Sequence, residues 1–408
     1  MKLIMKNLFR TRELFYFTLY SILSCLTFES PIFVVFLVGK GITYSQVTYL
    51  FALYSFLVFA FEYVTGIIAD KYSRKSTLMF STAFLILGEM FFVMGSNIYY
   101  FMVGMVFMSV SVASKSGADM AYIYDKFIEL KQQDSFDDFI SNLGSAMFIA
   151  SAFVFISGSF LTKFGSSLPF IGTIIAYLFC LLILFKFKEP LRESKEVSAK
   201  NIIKKNVITI LYNKVLLGVI LVSLLVVPSY HLLDSLLQPY LESNNIGVEF
   251  FGLFYFLFTI AESTGAKISG NLNKKFNFNE ILVITAFIVS FGFLIMSLTN
   301  SLVVYITPII LGISFGIYCT INSIAVNKLI ESDIRASLYS LQHALTKVVQ
   351  GVFLLLIGLS IDRFSLRTSF LYIGLILIIG IATIFLVCNN KVKFNYNKKN
   401  ENNKVGAE

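Results

Sequence analysis

The sequence predicts an all-α membrane protein, with twelve transmembrane helices arranged as two pseudo-symmetric six-helix bundles. Three observations carry that expectation. The 408 residues are 57% hydrophobic and only 14% charged, with a mean hydropathy of +0.78, whereas a soluble domain is about 25% charged. Twelve segments are long and apolar enough for the ~20 residues that a helix needs to cross hydrocarbon. One short phrase also recurs four times, as GIIADKYS at 66–73, GSFLTKFG at 158–165, GNLNKKFN at 270–277 and GLSIDRFS at 358–365. Its first and third glycines are 204 residues apart and its second and fourth 200, so each half of the chain contains two similar units.

The expected first span, 14–38, follows a basic N-terminal stretch as a signal peptide would. The apolar run continues through Glu29 and Pro31 without a small-residue cleavage site, so it is read as a retained helix, kinked or broken at the proline. The spans 46–69, 76–96, 99–126, 138–161 and 167–187 complete the first half, 1–187. A polar interval rich in Lys, Arg and Glu, 188–213, reads as a linker. The second half, 214–389, holds the spans 214–240, 248–272, 279–298, 301–327, 338–361 and 368–388, and a basic tail fills 390–408.

Orientation follows from the positive charges. With the N-terminus in the cytoplasm, 26 of the 33 Lys and Arg fall inside and four (Lys40, Lys163, Arg363, Arg367) outside, while Lys115, Lys267 and Lys347 lie within spans. Both termini are therefore expected in the cytoplasm of a multi-pass protein of the bacterial inner membrane. The net charge of +9 sits in loops, which argues against a nucleic-acid partner. Cys25, Cys180, Cys319 and Cys388 are scattered through apolar segments and read as small buried hydrophobes. With two histidines and no ligand spacing, no metal is expected. No P-loop and no nucleophile–base constellation point to an enzyme or to ATP as an energy source.

The segment Gly66, Asp70, Lys71, Ser73, Arg74 and Lys75, between the second and third spans, resembles the signature loop of the major facilitator superfamily, G-x-x-x-D-(R/K)-x-G-R-(R/K). Five of its six specified positions match, with Ser73 standing for a glycine. FEYVTG at 61–66 and SGADMAYIYD at 116–125 look like a bacterial branch described as drug or antibiotic efflux permeases, although Val64 replaces a proline. The resemblance implies a rocking two-bundle carrier without cofactor, driven by a proton gradient, in which Gly66, Asp70, Lys71, Arg74, Lys75 and Asp125 govern switching. A carboxylate at Asp70 also suits a helix N-terminus; the basic residues equally obey the positive-inside rule.

Ionisable groups inside spans cost about 2.5–3.5 kcal/mol even on insertion scales and usually face a cavity or a partner. Glu62 and Glu262, at similar places in the two halves, are the leading proton sites, with structural hydrogen bonding as the alternative. Lys115, Asp119 and Tyr122, spaced four and three apart, share one helix face, either lining the cavity or forming a self-neutralised pair. Glu29 suits a cationic substrate, a proton or a structural role, and Glu89 is read as facing another helix or the periphery. His231 with Asp234 forms either a titrating pair or a polar cluster near Pro228, while His343 and Lys347 share a face, Lys347 neutralising a carboxylate across the cavity. The expected activity is proton-coupled export of a drug, antibiotic or amphipathic compound, including a peptide antibiotic secreted by its producer, by a monomer in the lipid bilayer. Symport of a nutrient or peptide is the alternative, and a non-transporting receptor a remote one.

Overall fold

The computed structural model describes residues 11–71, 73–190, 210, 212–298, 303–330 and 332–389, and among them there is no strand. The chain builds α1 (Arg12–Leu23), α2 (Phe33–Gly39), α3 (Tyr44–Lys71), α4 (Arg74–Met94), α5 (Ile98–Lys115), α6 (Ala118–Glu129), α7 (Phe136–Leu161) and α8 (Leu168–Leu184). It continues with α9 (Lys214–Ser243), α10 (Phe251–Lys275), α11 (Phe278–Leu298), α12 (Val303–Leu329), α13 (Ser332–Arg363) and α14 (Leu366–Asn389).

Each of the twelve expected segments is helical, and among the described residues nine helices are long and apolar enough to cross a membrane. The other three segments fall short for separate reasons. The first is interrupted, α8 has 17 residues, and α10 carries Glu262, Lys267, Lys274 and Lys275. Most of the expected linker and the whole tail lie outside the described residues.

The first span breaks at 24–29, so Pro31 opens the short turn leading into α2 instead of kinking a continuous helix. Bare backbone in a membrane must find partners within the protein, and here it does. Phe28 donates its N–H to Thr173 Oγ1 at 2.9 Å, Tyr177 donates to the Ser24 carbonyl at 2.7 Å, and Gln238 donates to the Ser30 carbonyl at 2.9 Å. Gly158, the glycine of the second phrase, permits this packing, because a Cβ there would stand 1.9 Å from the Phe28 carbonyl oxygen.

The fourth span breaks as well. Gly117 takes φ +77°, a left-handed conformation that glycine adopts without penalty, and separates α5 from α6. This corrects the expectation that Lys115, Asp119 and Tyr122 share one helix face.

Packing repeats between the halves. In the first, α3 lies on α5, α4 on α5 and α8, and α1 on α8; in the second, α10 lies on α12, α11 on α12 and α14, and α9 on α14. The halves meet through α3 against α13, α7 against α10, and α2 against α9. Hydrogen bonds between them gather on the face away from the linker, the far face. There Tyr49 donates to Asp362 at 3.0 Å, Tyr44 donates to Glu242, and Gly252 donates its N–H to Ser159 at 2.7 Å. Gly358, the fourth phrase's glycine, lets α13 close on α3, since a Cβ there would sit 2.4 Å from the Tyr49 ring.

Candidate functional site

Beneath the far-face closure lies a cavity of about 200 Å³ between the halves. Phe33, Phe51, Met105 and Met108 give it an apolar wall, and Glu29, Tyr54, Asp234 and Gln238 supply polarity. Gln238 ties the halves together, its Oε1 accepting from Val34 N at 2.8 Å and Val35 N at 3.3 Å while its Nε2 donates to Tyr255 at 3.1 Å. Glu29 is 3% exposed and accepts from the Thr173 hydroxyl, whereas Asp234 is exposed to the space between the halves. Two acids set among aromatic and methionine side chains suit a small amphipathic ligand bearing positive charge.

A second layer lies nearer the linker. Glu62 of α3 reaches across to α13, its Oε1 2.9 Å from His343 Nδ1, and it also accepts from Ser116 at 3.3 Å. Lys347, one turn along α13, donates to Gln350 at 3.3 Å, and Glu62 is the carboxylate whose charge it feels. Among the described residues no ion pair joins Lys347 to a carboxylate; its one hydrogen bond goes to Gln350 of its own helix. His231 lies within electrostatic reach of Lys347 and His343 and packs edge-on against Tyr230 at 5.8 Å. No hydrogen bond to Asp234 is found for it among the described contacts, so the expected His231–Asp234 pair gives way to separate groups, Asp234 lining the cavity and His231 packing against Tyr230 outside that lining.

Glu262 behaves differently. It accepts from Tyr230 at 2.8 Å within its own half, and the Tyr230 ring stacks on Phe315 with centroids 3.4 Å apart. Gly316 makes room there, because a Cβ would meet the Glu262 carbonyl oxygen at 2.0 Å.

Lys115 donates to Ser24 at 2.9 Å and lies over the Tyr20 ring at 5.6 Å, while Asp119 accepts from Met120 N at 2.7 Å. Tyr122 does not line the cavity. It is 2% exposed, donates to the Lys188 carbonyl at 2.9 Å and stacks on Phe187 at 4.8 Å. The break at Gly117 turns it into the apolar core beside the linker.

Of the signature-loop residues, the Gly66, Asp70 and Lys71 positions lie outside those whose side chains are described. Arg74 pairs with Asp125 and donates to the Ala121 carbonyl. Lys75 Nζ donates to the carbonyls of Phe185 at 3.0 Å and Phe187 at 2.8 Å. The carboxylate at the N-terminus of α4 belongs to Glu189, which accepts from Arg74 N at 2.7 Å, Lys75 N at 3.0 Å and the Ser73 hydroxyl at 2.5 Å. Sequence reasoning missed Glu189; its only signal was an acid at the start of a basic linker. Of the two readings of Glu89, the one facing another helix holds and the peripheral one does not, for it is 0% exposed and lies inside the first half.

Comparison with known proteins agrees with this architecture. The family model described as Major Facilitator Superfamily matches residues 16–346. Among solved structures, a variant of the nucleoside transporter NupG has a TM-score of 0.77 at 11% identity, covering 91% of this chain and 98% of its own. A bacterial homolog of the human lysosomal transporter Spinster, in an inward-facing, unoccupied conformation, has 0.69 at 14%, covering 95% and 97%. A D-xylose-proton symporter has 0.68 at 14%, covering 91% and 97%. A search among curated proteins finds no match.

Proposed function

This chain belongs to the major facilitator superfamily, and we propose that it is a proton-coupled secondary transporter that exports a small amphipathic, positively charged compound, such as a drug or antibiotic, across the bacterial inner membrane. The observation that carries the proposal is the contact between Glu62 and His343, one carboxylate and one imidazole from opposite halves, placed beside a cavity lined by Glu29 and Asp234. A proton arriving on Glu62 weakens its hold on the opposing half, and one arriving on Glu29 or Asp234 weakens the hold on a bound cation, so proton and substrate compete for one cluster of acids. Coupling needs that difference, because a ligand that favours neither state shifts no equilibrium.

With the linker in the cytoplasm, the far face is extracellular and the state described is inward-facing. The twelve spans then form two six-helix bundles that rock about the cavity. Export as the direction is supported by the likeness of 61–66 and 116–125 to the efflux branch. Gradient-driven movement of a fluorescent lipophilic cation in proteoliposomes tests the proposal. The triple variant Glu62→Gln, Glu262→Gln, Asp119→Asn is expected to lose the gradient dependence; unchanged movement with and without a gradient would sink the reading. Uptake of a nutrient or peptide in the same direction as the proton would reverse it.

A further inference from the structure

Glu89 of α4 is 0% exposed, and neither of its carboxyl oxygens has a hydrogen-bond partner among the described residues. Its surroundings can be read from the ring contacts on each side. One turn away, Phe92 meets Phe33 at 4.9 Å and Phe170 at 6.2 Å; on the other side, Leu85 and Ile86 pack with Tyr177 and Ile174. That register sets Glu89 at the level of Thr173 on α8. Thr173 is the residue whose hydroxyl donates to Glu29, and Phe33 lies one turn beyond Glu29 itself. The two carboxyl groups accordingly interact electrostatically.

The remaining titratable groups around them are accounted for. On α8, the Tyr177 hydroxyl is spent on the Ser24 carbonyl. On α5, Lys115 is held by Ser24 Oγ, and the cavity side presents Met105 and Met108. Tyr54 of α3 and Asp234 of α9 stand across the cavity. Among the described residues no cation pairs with either acid.

We infer that Glu29 and Glu89 form an electrostatically coupled carboxyl pair that carries one proton, held on Glu89, Glu89 being a hidden positioning residue that sets how readily the cavity acid Glu29 binds and releases its own. The inference rests on the proton-coupled reading above. Two ionised carboxylates side by side in a dry site are untenable, and one proton between them relieves the repulsion. Thr173 donates to Glu29 alone, so the charge belongs on Glu29, facing the cavity, and the proton on Glu89. When a second proton reaches Glu29 from cavity water, its carboxylate becomes the neutral acid, the pair loses its net charge, and a bound cation loses its counter-ion. Release returns that proton to water and the charge to Glu29.

The test is infrared difference spectroscopy of the full-length protein in lipid, following the carbonyl stretch of protonated carboxylic acids as pH is raised. A band present at neutral pH is expected to vanish in Glu89→Gln. In Glu29→Gln it is expected to remain but to titrate away about one pH unit lower, since removing a like charge eases ionisation of its neighbour. The same midpoint in Glu29→Gln and wild type, or an unaltered band in Glu89→Gln, overturns the pair, and the first measurement stands even if Glu89→Gln fails to fold. If the bands shift as expected while transport ignores the proton gradient, the pair is upheld and the coupled reading of the function fails instead.

Discussion

Glu62 and Glu262 began as counterparts in a duplicated chain, yet they do opposite things. The repeat offset of 204 carries Glu62 onto Ala266, so Glu262 stands four residues, about one helical turn, away from true equivalence. That turn decides the partner. Glu62 faces the seam and meets His343 of the other half, whereas Glu262 stays inside its own half on the Tyr230 hydroxyl, at a helix crossing tightened by Gly316. Duplication supplies similar acids, and register against the neighbouring helix sets which one senses the relative position of the halves.

The comparison is most exposed to substitution of Glu62's partner. Replacing His343 with Asn is expected to lower gradient-driven transport by about a hundredfold, the lower end of the range for losing a positioned proton-transfer group. Added to Glu62→Gln it should cost nothing more, because both changes break one contact; additive losses in that cycle would separate the two residues. Next in size is the far-face closure. Tyr49→Phe removes a hydrogen bond worth about 1 kcal/mol, and spin-label distances across α3 and α13 should show the far-face-closed population falling by about fivefold relative to the open one. An unchanged distribution would deny Tyr49 and Asp362 a role in closure.

On the other side of the comparison, Tyr230→Phe leaves Glu262 without its donor. It is expected to cost about 1 kcal/mol of stability in thermal unfolding while keeping the proton dependence of transport, and loss of that dependence would return Glu262 to the coupling site. The smallest effect is assigned to Ser116→Ala. The bond it removes is long and exposed, at 3.3 Å, and transport rates should stay within about twofold, in line with a weak solvent-accessible bond.

Much of the fold was legible because membrane length and apolar run are local properties of a sequence. The break before Pro31 could be anticipated from a charge and a proline in an apolar run, and the Lys347 face from helical spacing. The site was less legible, for reasons that particular residues make plain. Tyr122 was placed on a cavity face by assuming an unbroken helix, and Gly117, which ends that helix, looks in sequence like any other glycine. Gln238 holds the first half's broken span only because α2 and α9, some 200 residues apart, meet at the seam. Glu89 could not be assigned inward or outward until α8 was packed against α4. The fourth copy of the phrase, GLSIDRFS, looked like an echo of the signature loop, yet its Asp362 joins the halves while Arg74, Lys75 and Asp125 brace the first half alone.

The central claim is that coupling runs through the acid at the seam and not through its counterpart inside the second half. It is tested most directly by uphill transport of a lipophilic cation in proteoliposomes under an imposed proton gradient, comparing Glu62→Gln with Glu262→Gln. The account predicts that Glu62→Gln still equilibrates the cation but no longer concentrates it, and that Glu262→Gln concentrates it as the unaltered protein does. A Glu62→Gln protein that still concentrates the cation would contradict the account, most sharply if Glu262→Gln had lost that ability.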